Sequence, residues 1–177
     1  VLKLATIPVQ DALTRVFNGT CHVVETYDRT IKTPNIENQI LLPSVIARNQ
    51  FEHLPKEITS NPVAEYLYYR DHAVCAYTGE PLTLRKGRHN TLTIDHVIPR
   101  SKGGTNTWDN VVASLGSINL AKGDSMPTGM WKPKKRAYKP SYYDLVNARK
   151  KFPIVVFNEN WIPYLGDWEG EIEVRKL

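Results

Sequence analysis

The chain has 177 residues, 41% hydrophobic and 23% charged, with four Trp and nine Tyr, enough apolar and aromatic material for a packed core and too much for wholesale disorder. Two cysteines exclude a disulfide framework, and no long apolar run marks a signal peptide or a membrane span, so a reduced, cytoplasmic protein is expected. The formal net charge of +5 and pI near 9.2 favour a polyanionic partner without identifying one.

The amino-terminal segment reads as β-rich. Leu2, Leu4 and Ile7 open it, Val9 to Phe17 predicts a short amphipathic helix stopped by Asn18-Gly19, and Cys21 to Tyr27 is a strand rich in apolar and β-branched residues. Leu41 to Ile46 predicts an edge strand, because Pro43 has no N–H to give to a central ladder. Asn61 as N-cap with Pro62 in the first helical position predicts a helix through Val63 to Arg70.

From Cys75 the chain turns through Gly79 and Pro81, resumes as a strand at Leu92-Thr93-Ile94, crosses a glycine-bearing loop and shows a second apolar run at Val111-Val112-Ala113. Ser117 is a candidate cap for a helix that reaches Lys122 and stops at Gly123. Beyond Pro127, Lys132, Lys134, Lys135, Arg136 and Lys139, punctuated by Pro133 and Pro140, predict an extended basic arm. Ser141 to Lys151 suits a short helix, and Trp161 to Trp168 an aromatic closure on the body. The expected organisation is an α+β protein with a β-rich segment over 1–59, a catalytic core over 60–127 and a basic, aromatic extension over 128–177.

The run that carries chemistry is Ile94-Asp95-His96-Val97-Ile98-Pro99-Arg100-Ser101-Lys102-Gly103-Gly104, continuing to Asn110, Asn119, Lys122 and Gly123. It resembles the HNH endonucleases, whose three signature positions fall at the separations of His96, Asn110 and Asn119. Asn in the third position is a variant that also occurs in HNH domains of CRISPR effector nucleases. The resemblance implies a ββα-metal core, matching the order strand, loop, strand, helix. It also implies a free-standing homing or phage-type enzyme that cuts DNA and leaves 5′-phosphate and 3′-hydroxyl ends. Monomer and homodimer both remain open, since a single site nicks and a double break needs two.

Phosphodiester hydrolysis needs an activated water, a cation for the charge developing on phosphate, and in-line placement. His96 has the chemistry to take the water proton, and Asp95 and Asn119 offer hard oxygen ligands to one Mg²⁺ or Mn²⁺ ion. By resemblance, Asn110 bridges the catalytic loop and fixes the pose of His96. Arg100, Lys102 and Lys122, with the basic arm, are the candidates for phosphate contact. Many relatives carry a structural zinc between two C-x-x-C knuckles. Here those positions read Cys75-Ala76-Tyr77-Thr78 and Leu115-Gly116-Ser117-Ile118, so no structural zinc is expected and Cys75 is read as a buried free thiol. A catalytically silent DNA-binding module and a ribonuclease using the same site are the alternatives.

Overall fold

The computed structural model describes residues 5–33, 36–50 and 58–175; Leu2 and Leu4, read from the sequence as opening a β-rich segment, lie outside the described residues. The elements in order are α1 (Val9–Phe17), β1 (Cys21–Thr33), β2 (Ile36–Arg48), α2 (Ala64–Arg70), β3 (Leu92–His96), β4 (Val111–Leu115), α3 (Gly116–Lys122), α4 (Tyr142–Lys150), β5 (Ile154–Val156) and β6 (Ile172–Val174). Helix and strand are mixed throughout, an α+β arrangement.

Packing separates two units, one made of the described residues before Pro55 and after Phe152, the other of those between. The stretch read from sequence as a single carboxy-terminal extension is shared: the basic arm and α4 belong to the central unit, and residues from Pro153 onward to the first. Ile58 and Thr59 also go with the central unit, Ile58 in its core and the Thr59 carbonyl accepting from Trp108 Nε1 at 2.8 Å.

In the first unit β1 and β2 form a two-stranded antiparallel ribbon, Cys21 opposite Arg48 and Ile31 opposite Ile40. Pro43 faces Thr26, where the register slips, the kind of place where a missing N–H is tolerated. Helix α1 ends where the sequence predicts, with the Asn18 N–H donating to Thr14 O and Gly19 following at φ +70°. Trp161 Nε1 donates to Ser44 Oγ at 2.7 Å and Tyr164 Oη to Glu25 Oε1 at 3.1 Å, so the aromatic segment does close on the ribbon.

The central unit is built on β3 and β4, antiparallel from Leu92 opposite Leu115 to His96 opposite Val111. Every residue of β4 is buried, as its near-continuous apolar run requires. Helices α2 and α3 pack on this pair, and α4 on α2. Two expected caps are corrected. Helix α2 starts at Ala64 with Val63 extended at its N-cap, while Asn61 stays exposed, its carbonyl accepting from Thr59 Oγ1, and Pro62 is buried. The fixed φ of proline serves an extended residue as well as a helical one. Ser117 lies inside α3, because Leu115 holds its place in the β4 ladder and the helix begins at Gly116 directly off the strand. Helix α4 has the capping box its sequence offers: Asp144 N donates to Ser141 Oγ at 3.1 Å and Ser141 N to Asp144 Oδ2 at 2.8 Å, worth about 1 kcal/mol.

Arg70, at the end of α2, is a buried junction. Its guanidinium is bidentate to Asp71 and donates to the carbonyls of Trp108, Val111 and Tyr138 at 3.0, 2.8 and 2.9 Å. Asp71 Oδ2 in turn accepts from Ala113 N at 2.8 Å. One cation thus joins α2, the start of β4 and the basic arm.

Candidate active site

Helix α3 aims two residues, one turn apart, at strand β3. Asn119 donates from Nδ2 to Ile94 O at 3.2 Å and to Thr93 Oγ1 at 3.3 Å, which leaves its side-chain oxygen as the group on offer. Lys122 donates to the carbonyl of His96 at 2.7 Å and lies 3.3 Å from both carboxylate oxygens of Asp95. Asp95 and Lys122 are 3% and 1% exposed, so each charge depends on the other and on the hydrogen bonds around them. The second donor to Asp95 is the phenol of Tyr77, bonded to Oδ2. Burial, then the hydrogen bond to Asp95 and its negative charge, push the Tyr77 phenol far above the ordinary tyrosine range, so it stays a donor at any working pH.

His96 ends β3 next to Asp95, and its Nε2 is buried without a hydrogen-bond partner among the described residues. A buried ring nitrogen left unpaired costs free energy unless a ligand or water completes it. The loop 97–110 that follows is held by Asn110, which receives Ile98 N on Oδ1 at 2.9 Å and gives Nδ2 to Ile98 O at 3.0 Å and Thr105 O at 2.9 Å. The Asn110 carbonyl accepts Val97 N at 2.8 Å. Gly104 sits in the crook of this loop, where a Cβ would lie 1.7 Å from the carbonyl oxygen of Ile98.

The structure sets Asp95 and His96 at the end of β3, bonds Asn119 of α3 to the same strand, and makes Asn110 the brace of the adjoining loop. It corrects Lys122, read as a phosphate contact from its residue type: its ammonium is buried and engaged inside the site. Tyr77 was missed, because a tyrosine between two knuckle positions reads as core. Arg100 and Lys102 are exposed on the short 3-10 turn Arg100–Lys102, with Lys102 Nζ 3.7 Å from Asp124. In the arm, Lys132, Lys134, Lys135, Arg136 and Lys139 are all exposed, and the N–H of Lys134 donates to Ala76 O at 2.8 Å and its ammonium to Thr78 O.

Residues 75–128 match the family model described as HNH endonuclease. Over 63 residues, 35% of this chain, the sequence is 36% identical to the CRISPR-associated endonuclease Cas9 of Corynebacterium diphtheriae. The match covers 5% of that relative's length. The chain carries an HNH endonuclease domain. Tyr77, Asp95, His96, Asn110, Asn119 and Lys122 all fall within the matched residues.

Inside the HNH domain the Cys75–Thr78 turn is stitched to its surroundings by main-chain bonds. Ala76 N donates to Ala113 O on β4 at 2.9 Å, and Lys134 N to Ala76 O. Cys75 is a buried free thiol with Sγ 3.8 Å from Ser114 Oγ. Burial raises its pKa, but hydrogen bonds from the backbone of Thr78 and Leu115, the Thr78 side chain and the backbone of Tyr77 outweigh that and bring it below the ordinary thiol value. Leu115 is buried in the ladder and Ile118 packs against the same core.

The donor set on β3 and α3 fits a hard divalent cation. Among the described residues no group of three His, Cys, Asp or Glu side chains could hold a metal, so Asp95 and the Asn119 amide oxygen are what the domain offers beside the His96 imidazole. Two hard oxygens suit a hard divalent cation, which prefers oxygen ligands. No helix among the described residues is long and apolar enough to cross a membrane.

Proposed function

We propose that this chain is a DNA endonuclease whose HNH domain, a ββα-metal core made of β3, β4 and α3, hydrolyses phosphodiester bonds with one Mg²⁺ or Mn²⁺ ion. The observation that carries the reading is the buried, unpartnered Nε2 of His96, the residue that follows Asp95 on β3, with Asn119 of α3 bonded to the same strand. Asp95 and Asn119 would hold the ion, which when bound supplies positive charge to the phosphate and the leaving oxygen. His96 takes the proton of the attacking water at Nε2, which has no hydrogen-bond partner among the described residues. Asn110 and Gly104 fix the loop that carries the chain away from His96, so the imidazole does not have to be ordered during the reaction.

Arg100, Lys102, Lys132, Lys135, Arg136 and Lys139 present exposed positive charge and track the phosphate backbone. A free-standing enzyme of homing or phage type, acting in the cytoplasm and leaving 5′-phosphate and 3′-hydroxyl ends, is the role the family resemblance favours. The test is conversion of supercoiled plasmid to nicked or linear DNA in Mg²⁺, in EDTA, and by His96→Ala, with labelled RNA in parallel. Cleavage should need the cation and His96, with DNA affinity of the variant close to wild type. Full activity of His96→Ala would remove His96 from the mechanism. Preferential RNA cleavage would make the chain a ribonuclease, and tight DNA binding without any cleavage a silent binding module.

A further inference from the structure

We infer that Tyr77 is a positioning residue for the divalent cation, acting through Asp95. The inference rests on the metal assignment above and names a residue outside its ligand set. The phenol and the carboxylate are both fastened against β4: Ala76, beside Tyr77 in its turn, bonds Ala113, and Asp95 on β3 pairs with Val112. Both groups are buried, at 8% and 3% exposure, so neither has solvent as an alternative partner. A buried phenol requires an acceptor, and this one takes Asp95 Oδ2.

What the hydroxyl accomplishes follows from its opponent. The Lys122 ammonium stands 3.3 Å from each Asp95 oxygen, longer than a charge-assisted hydrogen bond at its optimum of about 2.7–2.9 Å. The carboxylate is held off the ammonium, drawn to the phenol instead. Without the hydroxyl nothing opposes its collapse onto Lys122, and the tighter ion pair would compete with an incoming cation for the same lone pairs. With the hydroxyl present, one oxygen is anchored and the carboxylate keeps coordination capacity, since an ionised carboxylate has about four acceptor positions. Partners of this kind, one bond behind a metal ligand, typically change metal affinity by about 10–100-fold.

The experiment measures Mn²⁺ binding to the full chain by the electron paramagnetic resonance signal of free Mn²⁺, for wild type, Tyr77→Phe and Asp95→Asn, with thermal unfolding of the same samples. Phe keeps the ring in the core and removes only the donor. Tyr77→Phe should bind Mn²⁺ about tenfold more weakly with a melting temperature near wild type. Its cleavage rate should recover toward wild type at saturating Mn²⁺, which marks a loss in ion capture and not in chemistry. If Tyr77→Phe does not fold, 3-fluorotyrosine at position 77 keeps the packing and alters only donor strength, and should shift Mn²⁺ affinity alone. Mn²⁺ affinity equal to wild type in either variant overturns the inference. If Asp95→Asn binds Mn²⁺ as wild type does, the ligand assignment and the inference fall together. If wild type binds Mn²⁺ and cleaves nothing, the nuclease reading fails while the binding comparison still decides the role of Tyr77.

Discussion

The ammonium of Lys122 lies 2.7 Å from the carbonyl oxygen of His96, so the last residue of α3 clamps the backbone of the residue proposed as the general base. The same ammonium neutralises Asp95 in a pocket that water does not reach. Lys122→Met should leave Asp95 as a buried charge with only the phenol beside it, and cost about 3–5 kcal/mol of unfolding free energy. Urea denaturation followed by tryptophan fluorescence measures it. A midpoint unchanged from wild type would show that the pair contributes nothing.

The loop brace makes a second prediction. Gly104→Ala places a methyl group where the Ile98 carbonyl already stands, and backbone cannot step aside as a side-chain tip would. Asn110→Ala leaves Ile98 N, Ile98 O and Thr105 O without their partner, a loss of about 1–3 kcal/mol. Both variants should lose most cleavage activity while binding DNA close to normally. Retained turnover in Gly104→Ala would mean the loop has room that the structure denies it.

The basic arm separates into two kinds of lysine. Neutralising Lys132, Lys135 and Arg136 together should weaken DNA binding for all sequences alike and lower the slope of log K against log salt by about 2–3, since each lost phosphate contact returns about 0.9. Lys134→Ala should instead act mainly on stability, because its ammonium is already spent on the Thr78 carbonyl. Binding titrations from low to high salt distinguish the two. An unchanged slope for the triple variant would make the arm a solvated face.

Alkaline pH supplies a fourth prediction. Burial raises Tyr68, Tyr69, Tyr77 and Tyr138 in the folded chain, Tyr77 most of all. Once pH passes the unfolded tyrosine value of 10.0, the unfolded chain loses protons that the folded one keeps, and stability falls. The contribution is fully present below that pH and drains away as pH climbs toward the folded values. Unfolding midpoints across this window should drop less steeply in Tyr77→Phe than in wild type.

Chelation is the fifth. The Cys75–Thr78 turn is fastened by Ala113 and Lys134, and Leu115 and Ile118 serve the core. EDTA should therefore stop cleavage and barely move the melting temperature, with Mg²⁺ or Mn²⁺ restoring the reaction. Elemental analysis finding one firmly held zinc per chain, whose removal unfolds the protein, would contradict this.

Local chemistry made much of the molecule legible in advance. Asn18-Gly19 ended α1, and α4 lies within the Ser141 to Lys151 stretch read as a short helix, because signals of this kind act over a turn or two and need no partner elsewhere. Asp95, His96, Asn110 and Asn119 could be singled out because their order and separation match a family pattern, and all four fall within the residues that match the HNH endonuclease model. Lys122, Tyr77 and Arg70 were not. Each is of a type that composition places elsewhere, a lysine on the surface, a tyrosine in the core, an arginine on a solvated helix end. Their roles come from partners distant in sequence: Asp95 for Lys122 and Tyr77, and the Trp108, Val111 and Tyr138 carbonyls for Arg70. Asn61-Pro62 shows the reverse error, a strong local signal outvoted by the burial of Pro62.

Because Arg70 grips the carbonyl of Tyr138 and the Cys75–Thr78 turn grips Lys134, the arm between them is strung across fixed posts, not free to wander. Its outward charges are presented in one arrangement before any polyanion arrives. A loose tail would have to surrender its conformational freedom at the moment of contact; this one has already done so during folding. Association should then proceed with little of the heat-capacity change that accompanies coupled folding, and with an affinity that tracks ionic strength.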